Sequence, residues 1–319
     1  MIRPLPTAYY VSIPESTYDK RGVVDADQES NNSYIEQRPR HIIDLHAFLA
    51  IFEDIKCIFQ MIFEEIANLF KKIENKNVYN KNNYGEDKFE TSGKHQVFFI
   101  PGLGDPGIWG QLSKKALQKE NPDINVCVCQ NKNNGNQDIN QTFHNLYETV
   151  SAYCKANPER PIVLSGVSLG GRMAHEIELQ LRKDHPKTPV LLYTMAPAFA
   201  SKFCSFMDKH VPDLTRKVLN TTLVEAFKVG SPSTYGLIEA INKTIPENVA
   251  ERIIIAVRAS NDGLIDKANG FAIIENQAHK LHYTRRDALG CSHLGVLSCA
   301  RKDMHSTISG YFNPSSRWT

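Results

Sequence analysis

The sequence predicts an α/β fold, in which a mostly parallel sheet is flanked by helices and carries an α-helical cap insertion and an N-terminal helical extension. The main observation is that short apolar runs alternate with helical patterns after residue 95, as in repeated βα units. Two helix-spaced apolar patterns, one before residue 75 and one within 196–250, predict the extension and the cap.

The alternation predicts each element in turn. Predicted strands cover residues 95–100, 124–129, 161–164, 189–193 and 252–257, and His282 lies in a further strand-like stretch. Predicted helices cover about 108–121, 141–156 and 169–183. Because parallel strands need crossover connections, this order predicts a sheet with helices on both faces.

A G-V-S-L-G sequence occupies residues 166–170, directly after a predicted buried strand and before a helical pattern. At such a turn, G-x-S-x-G is typical of a nucleophile elbow, where the glycines permit a strained backbone and expose the serine hydroxyl. The N-terminus of the helix would direct N–H groups toward a developing negative charge. The pattern also occurs by chance, so the prediction of Ser168 as a nucleophile depends on its context.

Two loops at predicted strand ends supply part of that context. Residues 101–107 follow the first strand, and their glycines would let backbone N–H groups approach a ligand, although Pro and Gly are common in ordinary loops. Asp262 follows a late strand, at the edge where ligands bind in open α/β sheets. An ordinary turn aspartate before glycine is the alternative interpretation, and Asp266 is the rival acid.

His293 completes the set, because it lies in a loop of small residues before a C-terminal helical pattern. The order Ser168, Asp262, His293 is the triad order of the α/β-hydrolase fold. Residues from about 95 to 319 resemble the α/β-hydrolase superfamily, in particular its lipase, esterase and thioesterase branches. The resemblance is carried by Pro101-Gly102-Leu103-Gly104, Gly166-Val167-Ser168-Leu169-Gly170-Gly171, Asp262-Gly263-Leu264-Ile265 and Ser292-His293-Leu294.

The resemblance implies that Ser168 is the nucleophile, His293 the general base and Asp262 the orienting acid. It implies hydrolysis of a carboxylic ester or thioester through an acyl-enzyme, which requires neither a cofactor nor a metal.

The resemblance also implies an oxyanion hole formed by the backbone N–H groups of Leu103 and Leu169. Many members have His-Gly where this chain has Pro101-Gly102, so Gly104 remains an alternative donor to Leu103.

The cap, 196–250, is the segment that we expect to select the substrate. Its apolar residues recur at helical spacing: Phe199, Phe203, Phe206, Met207, Val211, Leu214, Val218, Leu219, Leu223, Val224 and Phe227. They either cover the sheet or line a pocket for an acyl chain, and an apolar cap favours a lipid-like substrate. Two other function classes stay open: an acyltransferase with the same triad, and a non-catalytic binding protein on a hydrolase scaffold.

Composition and charge narrow the possible partners, metal sites and cellular compartment. The net charge is +2 without a concentrated basic stripe, which argues against nucleic acid as a partner. Seven cysteines without a framework pattern predict free thiols and a reducing compartment, and Cys127 and Cys129 indicate core positions more than a metal site. No secretory signal or transmembrane stretch is recognised, which predicts a cytoplasmic protein unless a signal-independent system exports it.

The region before the catalytic domain, 95–319, divides into three segments. Residues 1–40 are predicted to be an irregular extension, 41–75 a long amphipathic helix and 76–94 a flexible polar linker. Nine apolar residues between Leu45 and Ile73 share one face of the helix. Three alternatives stay open for that face. It packs on the catalytic domain or within a helical hairpin, it forms a dimer interface, or it makes a peripheral membrane contact or covers the substrate cleft.

Overall fold

The structure is a computed structural model that describes residues 10–12, 94–105, 107–129, 135–210, 212–242, 248–265 and 281–313. The predicted helix over 41–75, nearly all of the predicted linker and the rival acid Asp266 lie outside these residues.

The described elements follow the predicted alternation. The strands are β1 Tyr10–Ser12, β2 His95–Ile100, β3 Ile124–Val128, β4 Ile162–Val167, β5 Val190–Met195, β6 Arg252–Ala259 and β7 Leu281–Ala288. The helices are α1 Ile108–Glu120, α2 Ile139–Ala156, α3 Leu169–Asp184, α4 Lys202–His210, α5 Pro212–Val218, α6 Thr221–Phe227, α7 Pro232–Asn242 and α8 Val296–Phe312.

The strands form one sheet in the order β1-β7-β6-β5-β4-β2-β3, and all neighbours from β7 to β3 are parallel. The chain goes from β2 outward to β3 and then returns to β4 on the other side of β2. This reversal places the ends of β2 and β4 side by side, at the kind of switch point where open α/β sheets bind ligands.

β1 pairs with β7 in the antiparallel direction, with Tyr10 opposite Ala288. The sequence predicted irregular structure throughout 1–40, and that prediction is wrong for these three residues. A three-residue strand is too short for a periodic pattern, and it is defined here by its pairing with a strand that lies far away in the sequence.

Helices cover the sheet on both faces. Apolar residues of α1 and α8 pack on one face, together with Phe99, Val163 and Tyr193. The other face carries α2, α3 and the cap, where Leu164 and Leu192 of the sheet are buried. The strands are therefore apolar on both sides, which explains their continuous hydrophobic runs.

The cap is helical, as predicted, and consists of α4 to α7. Leu223 and Phe227 of α6 belong to the buried cluster on the α2 and α3 side, so this part of the cap covers the sheet. Phe206 on α4 is instead 58% exposed. Within the described residues, no helix has both the length and the apolar character that crossing a membrane requires.

Candidate active site

Ser168 occupies the turn between β4 and α3 with φ 52° and ψ −120°. A positive φ is rare for a residue with a side chain and costs about 1–3 kcal/mol, so the surrounding structure must hold it. The Ser168 N–H donates to the Met195 carbonyl over 2.9 Å, and its carbonyl accepts from the Ala198 N–H over 3.0 Å. Both bonds attach the turn to the end of β5.

The two glycines of the motif are required by close backbone contacts. A Cβ on Gly170 would lie 2.0 Å from the Ile100 carbonyl oxygen, and one on Gly166 would lie 2.3 Å from the Gly170 oxygen. These separations are far below van der Waals contact, so α3 can begin this close to β2 and β4 only with glycine at both positions. The result is the strand-to-helix elbow that the sequence predicted.

The structure brings Ser168, Asp262 and His293 together. His293 Nε2 lies 2.9 Å from Ser168 Oγ, and Nδ1 lies 2.8 Å from Asp262 Oδ2. The other carboxylate oxygen of Asp262 accepts the N–H groups of Leu264 and Ile265, each over 2.9 Å. Since an ionised carboxylate only accepts, the proton of a neutral imidazole belongs on Nδ1, which leaves Nε2 to accept from the serine hydroxyl.

Parallel pairing of β6 and β7 explains how an acid and a histidine 31 residues apart meet. Their following loops leave the same edge of the sheet and bond to each other. The Asn261 N–H donates to the Cys291 carbonyl over 3.0 Å, and the Gly290 N–H donates to Ser260 Oγ over 2.8 Å. The side chains of Asp262 and His293 are 3% and 4% exposed, so their hydrogen bond is shielded from water.

A disulfide joins Cys291 to Cys299 and spans the loop that carries His293. The expectation that the cysteines are free thiols is therefore wrong for this pair, and the expectation of a reducing compartment stays a prediction. Cys154 and Cys204 do carry buried free thiols. The sequence lacked a framework pattern because this pairing depends on how α8 starts beside the loop, which no cysteine spacing reveals.

Of the two predicted oxyanion donors, Leu169 directly follows the serine, and Leu103 follows a glycine that packs against it. Leu169 is the first residue of α3, where a backbone N–H has no partner within the helix. Leu103 follows Gly102, whose added Cβ would lie 3.3 Å from the Cβ of Ser168. Gly104 has φ 80°, and the Asp105 N–H donates to the Gly102 carbonyl, so a tight turn accounts for this glycine.

The other histidines that the structure describes make contacts away from Ser168, Asp262 and His293. His95 stacks on Phe312, His144 pairs with Glu148, His175 is buried beside Phe199, His185 bonds to Ser151, His210 lies against Phe206, His282 pairs with Glu251 and His305 is buried on α8. In the part of the chain that the structure describes, no group of three or more His, Cys, Asp or Glu side chains is placed to hold a metal ion.

Sequence reasoning missed two residues that attach the cap to this site. Arg172, one turn after the serine, is fully buried and bonds to several cap residues. Ser201 bonds the start of the cap to the loop of Asp262. The only signal in the sequence is an arginine among the apolar positions of a helix, which is as compatible with an exposed face as with a buried contact.

Comparison with solved structures finds similar folds over about two thirds of the chain. The type II thioesterase BorB from the borrelidin biosynthetic cluster is 16% identical with a TM-score of 0.45, and the match covers 68% of this chain and 92% of BorB. The Paleococcus ferrophilus monoacylglycerol lipase is 13% identical with a TM-score of 0.42, covering 69% and 95%. Mouse α/β hydrolase domain-containing protein 10 is 13% identical with a TM-score of 0.43, covering 69% and 90%.

No protein-family model and no curated protein matches the sequence. The sheet order, the helices on both faces and the serine at the β4 elbow are together those of the α/β-hydrolase fold. At identities this low, evidence about chemistry has to come from the geometry of the site in this chain.

Proposed function

We propose that this protein is a serine hydrolase that cleaves a carboxylic ester or thioester through an acyl-enzyme. The observation that carries the proposal is the continuous hydrogen-bonded series from Ser168 Oγ through His293 to Asp262. A serine hydroxyl is a weak nucleophile, and an adjacent imidazole oriented by a carboxylate is the usual arrangement that activates it.

In the first step, Ser168 Oγ adds to the carbonyl carbon of the substrate while its proton passes to His293 Nε2. Asp262 stabilises the imidazolium and keeps its orientation. The bond from the carbonyl carbon to the leaving oxygen or sulfur then breaks, and His293 returns the proton to that leaving group. A water molecule then gives a proton to His293 and adds to the acyl carbon. The bond from that carbon to Ser168 Oγ breaks, His293 returns the proton to Oγ, and the carboxylic acid leaves.

The oxyanion that forms in both steps would accept from the N–H groups of Leu169 and Leu103. Support comes from their positions, since one begins α3 and the other adjoins a glycine packed against the elbow. Removal of one such donor in a serine hydrolase costs roughly 10²–10³ in kcat.

The substrate class proposed is a lipid or another acyl ester. Support comes from the apolar residues near the serine. The Ala198 N–H donates to the Ser168 carbonyl, and the residue after Ala198 is Phe199, which is fully buried. Leu264 comes from the acid loop and packs against the buried cluster on the cap side of the sheet. An apolar surround favours hydrocarbon over sugars or charged peptides.

The test uses wild type, Ser168→Ala and the control Ser165→Ala with p-nitrophenyl esters from acetyl to palmitoyl. Ser165 is buried in β4, where its hydroxyl contacts Met304 Sδ at 3.2 Å, so it controls for loss of a nearby serine. We expect Ser168→Ala to lose activity by roughly 10⁴-fold or more while it keeps the wild-type fold. The Ser165→Ala variant should stay within about threefold of wild type.

A fluorophosphonate probe with peptide mapping adds a readout that does not depend on the ester. Labelling at Ser168 without turnover of any ester would point to an acyltransferase with a different acceptor. Absence of both labelling and turnover would overturn the proposal and favour a binding protein. A preference for acetyl over octanoyl and longer esters would overturn the lipid-like substrate.

A further inference from the structure

Arg172 lies one turn after the nucleophile on α3, where its backbone N–H donates to the Ser168 carbonyl over 3.2 Å. Its side chain is fully buried, which is rare for arginine unless every donor finds a partner. A guanidinium presents five donors in a rigid plane. The position of this side chain is therefore defined by what it bonds to, and those partners belong mainly to the cap.

The guanidinium contacts three separate segments of the cap. Nη1 donates to the Phe199 carbonyl at 3.1 Å, to the Ala226 carbonyl at 3.0 Å and to Thr234 Oγ1 at 3.0 Å, and Nη2 donates to Ser233 Oγ at 2.9 Å. These partners lie where the chain enters the cap, at the end of α6 and at the start of α7. One side chain thus joins the cap's entry and two of its helices to the elbow helix.

The guanidinium also supplies donors to buried carbonyls of the cap. The Ala226 carbonyl lies in the last turn of α6, where helical carbonyls lack intrahelical partners. The donor on Nε goes to Glu176 Oε1 at 3.0 Å, and the guanidinium carbon lies 5.6 Å from the centre of the Phe227 ring. Thr234 Oγ1 also lies within hydrogen-bond distance of the Phe199 and Ala226 carbonyls, but its single proton can serve only one of them. Loss of the Arg172 side chain would therefore leave at least one buried carbonyl without a donor.

A second attachment connects the same part of the cap to the acid loop. Ser201 Oγ donates to the Leu264 carbonyl over 2.9 Å, and its backbone forms an antiparallel bridge with Ile265. The N–H groups of Leu264 and Ile265 are the donors that hold Asp262 Oδ1. The Ser201 N–H also donates to the Phe227 carbonyl over 2.7 Å, so this attachment and Arg172 share the end of α6.

We propose that Arg172 is a positioning residue that holds the cap in one position relative to Ser168 and thereby determines which acyl groups reach the serine. The proposal rests on the proposed hydrolase function for its substrate and on the hydrogen bonds above for its mechanism. Arg172 touches cap residues rather than the reacting atoms, so it acts by placing the cap.

The test compares Arg172→Met with Arg182→Met. Arg182 is a second buried arginine on α3, but it bonds to Glu178 and touches no cap residue in the described contacts, so it controls for loss of a buried arginine from the same helix. Arg172→Lys is the fallback if the methionine variant does not fold, because lysine keeps the charge without the planar fork. Circular dichroism and thermal unfolding establish that each variant is folded.

The first readout is hydrogen exchange of backbone amides in residues 199–242. We expect exchange there to be about tenfold faster or more in Arg172→Met than in Arg182→Met, since the cap loses attachments worth more than about 1.4 kcal/mol. The second readout is the ratio of kcat/KM for octanoyl to acetyl ester, which should change by about tenfold in Arg172→Met alone. Fluorophosphonate labelling of Ser168 should stay within about threefold of wild type, because the triad is untouched.

The proposal would be overturned if Arg172→Met and Arg182→Met showed equal amide exchange in the cap and equal octanoyl-to-acetyl ratios. It would also be overturned if amide exchange in the cap of both Arg172→Lys and Arg172→Met were as slow as in wild type. If the wild type neither labels nor hydrolyses any ester, the proposed function fails. The exchange comparison then decides by itself whether Arg172 holds the cap. The two failures are therefore distinguishable.

Discussion

His175 is a fully buried imidazole on the elbow helix, and neither ring nitrogen has a hydrogen-bond partner among the described residues. Its ring lies 5.1 Å from that of Phe199. Burial, together with the smaller effect of the Arg182 charge, lowers the pKa of His175 from 6.5 to about 3. The residue is thus held neutral in the folded protein at any pH where esters are commonly assayed.

This side chain predicts a loss of stability in acid. Below pH 6.5 the unfolded chain binds a proton at His175 that the folded protein does not bind, so the free energy of unfolding falls as the pH drops toward about 3. Above pH 6.5 the residue adds no pH dependence. We expect His175→Phe to be more stable than wild type by about 2 kcal/mol at pH 5 beyond any difference at pH 7.

Urea unfolding of both proteins at the two pH values measures this difference. We expect the difference in the free energy of unfolding between His175→Phe and wild type to be larger at pH 5 than at pH 7. Parallel pH dependence of wild type and His175→Phe would show that His175 is not held neutral in the folded state.

At the scale of elements, the elbow depends on how closely α3 approaches β2. Gly170→Ala would place a Cβ 2.0 Å from the Ile100 carbonyl oxygen, so the helix must move away from the strand and carry Ser168 with it. We expect a loss of about 3 kcal/mol in the free energy of unfolding and slower fluorophosphonate labelling. Thermal unfolding and labelling rates measure the two effects.

Gly236→Ala is the matched control, because Gly236 lies inside α7 and an added Cβ meets nothing within 4 Å. Alanine there should stabilise the protein by about 0.5–1 kcal/mol, since it restricts the unfolded chain and favours the helix. Similar effects at the two glycines would contradict the contact between α3 and β2.

At the scale of the whole molecule, a buried ion cluster connects α3 to the start of β6 in the sheet. Glu178 on α3 accepts from Arg252 of β6 at 2.9 Å and from Arg182 at 2.8 Å. Burial lowers the pKa of Arg252, and the charge of Glu178 opposes that shift. Glu178→Gln would leave two buried guanidinium groups without a counter-charge, so we expect a loss of about 3–5 kcal/mol in the free energy of unfolding.

The control for this cluster is Glu159→Gln, which breaks an ion pair with Lys187 whose side chains are 64% and 75% exposed. An exposed pair contributes little, so the control should change stability by less than about 1 kcal/mol. Denaturant unfolding compares the two variants, and equal effects would contradict the role of the buried cluster. The octanoyl-to-acetyl ratio should not change in either variant, because neither residue contacts the cap.

The sequence alone determined the α/β architecture, the positions of most strands and helices, and the serine elbow. These features are local: a parallel strand buried on both faces is a short apolar run, and an elbow needs glycine two residues before and after the serine. The order of Ser168, Asp262 and His293 could be recognised because the α/β-hydrolase fold places its triad in that order.

Only the tertiary structure decided what joins these elements. Arg172 bonds to residues 27, 54 and 62 positions away, and β1 pairs with a strand at the other end of the chain. The disulfide that spans the His293 loop likewise depends on where α8 begins. These contacts join residues that are far apart in the sequence. They form only when the folded chain packs together, so no local sequence pattern predicts them.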